Sequence, residues 1–212
     1  MKINAVITKK PLIKFNRAKL SLVDKNIISI ASIMFLSIVS GSLIYKFKPE
    51  VFKESVFEMF VAFSTDLSGK SFFEAFSGFF AVDLSVLIIL SILGASTLGG
   101  FPILAAAAFR TLGIGAIGAY LFDSYAFAGL KYFLAVILPG KGFMFFALLL
   151  TVQNCFQTSR KIRLITLKKS NEEIDYKIYA LRNATALVFF ALSSVIDTLL
   201  IKYVSQYFMP DF

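Results

Sequence analysis

Residues 27–45 are nineteen consecutive positions without a charge. At about 1.5 Å of rise per residue, a helix of that length matches a bilayer hydrocarbon core of about 30 Å. Comparable apolar stretches recur at about 81–98, 102–122, 127–156 and 184–203. Hydrophobic residues make up 58% of the chain, against about 45–50% in an ordinary soluble domain. A compact water-soluble fold would leave much of that surface in water. The expected class is therefore all-α: a polytopic membrane helical bundle of about five transmembrane helices, with amphipathic interfacial helices on its outer face. Gly99-Gly100-Phe101-Pro102 ends the second stretch, and Pro102 opens the third at a favoured first-turn position. Pro139-Gly140-Lys141-Gly142 interrupts the fourth.

Loop charge predicts sidedness. Lys2, Lys9, Lys10, Lys14, Arg17, Lys19 and Lys25 precede the first stretch, opposed by Asp24 alone. Arg160, Lys161, Arg163, Lys168, Lys169, Lys177 and Arg182 lie between the fourth and fifth, with Glu172, Glu173 and Asp175. Residues 46–83 hold four Lys and six acids. Lys/Arg excess marks the cytoplasmic side. The expected topology puts the N-terminus and the 158–183 loop inside and the 46–83 segment outside. Parity then requires one kinked crossing at 127–156 and an outside C-terminus. The first stretch is longer than an apolar signal core and ends without a small-residue cleavage pattern, so it is expected to be retained.

The expected organisation follows. A basic cytoplasmic segment (1–25) precedes the first transmembrane helix (26–46). An outer amphipathic segment (47–80) leads into a membrane core (81–157). A basic cytoplasmic loop (158–183), a last transmembrane helix (184–205) and an outer tail (206–212) complete the chain.

Composition restricts the chemistry. The chain has no His and one Cys, Cys155. Zinc and iron sites, Ser-His-Asp and Cys-His nucleophiles, and disulfides lack ligands or partners. No catalytic, cofactor-binding or metal-ligating residue is assigned. The basic segments orient the chain and attract anionic lipid. No folded basic domain or aromatic platform accompanies them, so nucleic acid is not an expected partner.

Within 49–80, Phe52, Val56, Phe60 and Phe63 recur at helical spacing. After Lys70, the residues Phe72, Phe73, Phe76, Phe79 and Phe80 do the same, and Ser71 and Glu74 have capping-box spacing. Two uses fit the stripe: covering the bundle and headgroups, or docking an extracytoplasmic partner in a helix-and-groove contact.

Arg110 lies about eight residues, or 12 Å, into the third stretch. A guanidinium at that depth costs at least about 2.5–3.5 kcal/mol near the bilayer centre and needs an acidic partner or a cavity. Asp197, about 7 Å away in depth, and Asp83, near the outer end of the second stretch, are the two candidates. Lys141 needs a surface to snorkel to, or a cavity. Gly113, Gly115 and Gly118 suit close helix packing, since small residues let backbones approach in lipid. Pro139 is expected to break the fourth helix, either as a packing kink or as the broken helix of a binding site.

Residues 85–165 resemble the stage II sporulation protein M family. The resemblance rests on Leu93-Gly94, Gly99-Gly100-Phe101-Pro102, Phe109-Arg110, Gly113, Gly115, Gly118, Tyr120-Leu121, Tyr125, Gly129-Leu130 and Leu138-Pro139, in that order and spacing. Where family members often carry Gln or Gln-Asn after the Pro, this chain has Gly140-Lys141. The resemblance implies a bacterial membrane protein without catalysis of its own. In endospore formers the family member is an engulfment scaffold that positions extracytoplasmic peptidoglycan hydrolases. Some relatives look like partners of ABC transporters.

Three functions are weighed. The first is a scaffold for extracytoplasmic cell-wall hydrolases. The second is a transport component, a small permease or ABC-associated subunit, motivated by Arg110, Asp197 and the interrupted fourth helix. The third is an intramembrane enzyme using Asp83 and Asp197. Homo-oligomerisation and an ABC-type partner stay open.

Overall fold

The computed structural model describes residues 17–47, 50, 70–167 and 175–208. The Phe52, Val56, Phe60 and Phe63 stripe lies outside the described residues, as do residues 1–16 of the basic N-terminal segment and parts of the 158–183 loop and outer tail. Helix α1 is Arg17–Phe47, α2 is Phe72–Gly94 and α3 is Gly100–Tyr132. A π-helical segment, Phe133–Ile137, leads into α4, Leu138–Thr166. Helix α5, Tyr176–Leu199, continues through a second π segment, Leu200–Val204, to the short α6, Ser205–Phe208.

Among the described residues, four helical runs are long and apolar enough to cross a membrane. One of them, Gly100–Thr166, is 67 residues long. That would be about 100 Å of straight helix, three times a bilayer core. It is folded back at Ala126, whose φ of 48° and ψ of −124° lie far from helical values. Gly129 makes the reversal tight, because a Cβ there would run into the Leu121 carbonyl. The returning strand of helix packs the Phe133 ring against Gly118 and brings Ser159 to Gly99. The described residues thus form five crossing-length rods. In the most apolar stretches of the four runs only 17–33% of residues are buried inside the bundle. Phe109, Ile92, Val188 and Phe35 are among the large apolar side chains pointing outward. Such a surface belongs in a bilayer, and the protein is a membrane helical bundle.

Local chemistry sets the helix ends. Ser71 and Glu74 form the capping box: the Ser71 N–H donates to Glu74 Oε2 at 2.8 Å, and the Glu74 N–H to Ser71 Oγ at 3.3 Å. Nothing interrupts the helix between Phe80 and Ala81, so α2 begins nine residues before the expected boundary at 81. Residues 72–80 are the first turns of a crossing-length helix rather than a separate interfacial helix. Asp175 caps α5 through the N–H groups of Lys177 and Ile178, which also starts that helix ahead of the expected 184. Pro139 does not break the fourth rod. It sits in the first turn after the π segment, where the Leu138 N–H reaches back to the Phe133 carbonyl. The wider π turn accommodates a residue that lacks a donor and crowds the preceding turn.

Successive rods alternate in direction, so α1 and α3 run parallel. Gly41 meets the Leu112 carbonyl, Gly115 meets the Ile38 carbonyl, and Tyr45 reaches Asp123. One end of the bundle gathers the 95–99 turn with Ser159, Arg160 and Arg163. The opposite end gathers Tyr45, Asp123 and the Ala126 reversal, and there Lys202 Nζ donates to the Lys70 carbonyl at 2.6 Å. The main core, with Met34, Leu90, Ile103, Met144, Leu148 and Phe190, draws on all five rods.

Candidate functional site

Each of four apolar rods contributes one charge to the interior. Asp83 lies at the middle of α2, eleven residues from Phe72 and eleven from Gly94, or about 16 Å from either end. Its side chain is 2% exposed and its Oδ1 accepts from Arg110 Nη2 at 2.7 Å. The Arg110 side chain keeps 29% exposure, and its Nε is buried without a partner among the described residues. The second pair joins Lys141 on α4 to Asp197 on α5. Lys141 Nζ donates to Asp197 Oδ2 at 2.7 Å, and the Asp197 side chain is 3% exposed. Lys141 Nζ also lies 5.3 Å from the Phe79 ring centroid, within cation–π range.

Hydroxyls link the pairs. Ser194 Oγ donates to the Phe190 carbonyl at 3.0 Å and lies 3.5 Å from Asp83 Oδ2, so α5 also touches the first pair. Ser193 Oγ donates to the Gly140 carbonyl at 2.8 Å. Gly140 is required here, because a Cβ would occupy the place of the Asp197 carboxylate. The two π segments bracket this pair: Phe133–Ile137 ends just before Gly140, and Leu200–Val204 starts three residues after Asp197. The assembly is electroneutral and ties α2, α3, α4 and α5 together. Each buried charge has its counter-ion in place, as a low-dielectric interior demands.

Arg110 had two candidate partners, and the structure gives it Asp83 while Asp197 takes Lys141. Asp83, expected near the outer boundary, lies at mid-helix because α2 starts at Phe72. Among the glycines, Gly115 lies on the Ile38 carbonyl and Gly118 on the Phe133 ring, 3.2 Å from a Cβ position, whereas a Cβ on Gly113 would meet nothing within 4 Å. Pro102 sits in the first turn of α3, its third residue. Of the proposed docking residues, Phe72 and Phe73 are exposed. Phe76 and Phe80 are half-buried and stacked on each other, with ring centroids 5.5 Å apart. Phe79 is a correction: it is buried against Ala75 and Ile201 beneath Lys141, so it serves the core rather than a docking face.

A second polar layer was not anticipated. Asn154 Nδ2 donates to Asn183 Oδ1 at 2.7 Å, and Asn183 Nδ2 donates to Ser91 Oγ at 3.0 Å. The Tyr179 hydroxyl donates to the Ser91 carbonyl at 2.8 Å and lies 3.4 Å from Cys155 Sγ. Gly94 lets Tyr179 and Cys155 approach, since a Cβ there would touch both. The available signal was a single Ser or Asn on each of three apolar rods.

The geometry limits the chemistry. Asp83 and Asp197 are each engaged by a cation of their own, which is not the arrangement of two carboxylates sharing a proton. No group of three His, Cys, Asp or Glu that could hold a metal ion occurs among the described residues. No match is found among curated proteins or among solved structures. A family model described as Stage II sporulation protein M matches residues 30–201.

Proposed function

The chain belongs to the stage II sporulation protein M family, and from that premise we propose that it is a non-catalytic membrane scaffold. It recruits or positions extracytoplasmic peptidoglycan-remodelling enzymes, as in sporulation engulfment. The family match over most of the chain is the observation that carries this reading. Two features support it. Phe72 and Phe73 stand exposed at the end of the bundle opposite Arg160 and Arg163, and the interior charges are closed into pairs that brace helices. The basic end faces the cytoplasm in this proposal, which presents Phe72 and Phe73 to the wall compartment of a bacterial cytoplasmic membrane.

Affinity capture from solubilised membranes tests the docking face. Phe72→Glu combined with Phe73→Glu should abolish recovery of cell-wall hydrolases while the purified protein keeps its melting behaviour. Unchanged recovery in a folded variant would refute that face. Orientation has its own test, because Cys155 is buried. A Ser71→Cys variant should react with a membrane-impermeant maleimide added to intact cells, and labelling only after lysis would reverse the topology.

A further inference from the structure

At the basic end, a cleft of about 670 Å³ opens between the start of α3 and the last turns of α4. Arg160 and Arg163 line it, with Ser159 and Thr97 beside them. Both arginines are exposed and form no ion pair among the described residues. The other wall is apolar: Leu98 and Phe101 are each 81% exposed, and Phe156 of α4 joins them in the lining. Among the described residues, no acid neutralises these two guanidiniums beside exposed apolar surface. An amphiphile with an anionic head and an acyl tail satisfies both.

We propose that this cleft binds an anionic phospholipid, with the headgroup phosphate on Arg160 and Arg163 and an acyl chain along Leu98 and Phe101. Guanidinium pairs suit phosphate because their donors match its oxygens in a forked geometry. The cleft lies where the spanning rods end, at headgroup depth. Gly99 provides no side-chain cap for α3, and Gly100 faces the cleft without a side chain, 3.8 Å from the Phe156 ring at its Cβ position. A phosphate can therefore approach the backbone closely. Arginine charge carries the recognition, and the apolar wall selects a lipid over a soluble phosphate. The proposal holds whether or not the chain is a scaffold for hydrolases.

The full chain, reconstituted in nanodiscs mixing phosphatidylcholine and phosphatidylglycerol, can be released into mild detergent and its retained lipid measured by native mass spectrometry. Wild type should retain phosphatidylglycerol in preference to phosphatidylcholine. Arg160→Gln plus Arg163→Gln should lower that retention about tenfold and leave phosphatidylcholine unchanged. Lys177→Gln plus Arg182→Gln removes the same charge from the same end outside the cleft and should change little. An equal loss in that control would overturn the proposal in favour of diffuse electrostatics. So would a wild type without preference, a measurement that needs no variant to fold. Displacement of bound lipid by inorganic phosphate alone would identify a soluble-anion site and overturn the lipid assignment.

Discussion

Two seams of this bundle solve the same problem differently. Along α1 and α3 the backbones touch: Gly41 and Gly115 each lie on a carbonyl of the other helix, and Ser42 Oγ donates to the Gly115 carbonyl at 3.0 Å. Residues 27–45 of α1 carry no charge, so no ion pair crosses that part of the seam. Among α2, α3, α4 and α5 the rods are joined by side chains, through Asp83–Arg110 and Lys141–Asp197. In lipid, apolar surface alone gives helices little reason to associate, so close packing and polar ties do that work. The two devices should fail differently. A backbone contact tolerates no added atom and has no second-site remedy. An ion pair is fragile when halved but replaceable as a whole.

The largest effect should come from halving the more buried pair. Lys141→Met leaves the Asp197 carboxylate without its cation, at a cost of about 3–5 kcal/mol, read as lost stability in detergent unfolding. Lys141→Met with Asp197→Leu should recover most of that loss. Failure of the double variant to recover would mean that the pair does more than neutralise itself. Next comes the seam: Gly115→Val should cost about 1–3 kcal/mol by overpacking, with no rescue from trimming the Ile38 side chain, because the obstacle is the Ile38 carbonyl. A rescue would erase the distinction between the seams. Asn183→Ala, in the neutral polar layer, should cost about 1 kcal/mol, since hydrogen bonds between membrane helices are individually weak. The smallest change has the opposite sign. Ala126 holds a positive φ that glycine adopts freely, so Ala126→Gly should leave stability unchanged or raise it by up to about 1 kcal/mol. A clear loss there would show that the reversal depends on the Ala126 methyl group.

Much of the architecture was legible along the chain. Five apolar stretches gave five rods, and the Ser71-x-x-Glu74 spacing gave the cap that starts α2. Arg110, Lys141, Asp83 and Asp197 stood out because a charge within an apolar stretch needs a reason. Their pairing was not legible. Depth along the rod was misjudged for Asp83, since the Phe-rich turns 72–80 resemble an interfacial helix until one sees them continue into the span. Phe79 was misassigned for a related reason: a helical stripe announces an apolar face without saying what covers it. The Ser91, Asn154, Asn183 and Tyr179 layer was missed because single polar residues on separate rods carry no mutual signal in sequence.

Hydropathy, loop charge and cap chemistry are sums over neighbouring residues, so the sequence by itself determined that this chain is a membrane helical bundle and roughly where its rods run. Which charge meets which, that Gly140 makes room for Asp197, and that two arginines face an open apolar cleft depend on how far each rod is rotated and slid against the next. Those offsets are set by many small contacts acting across the bundle at once, and only the tertiary structure decided them.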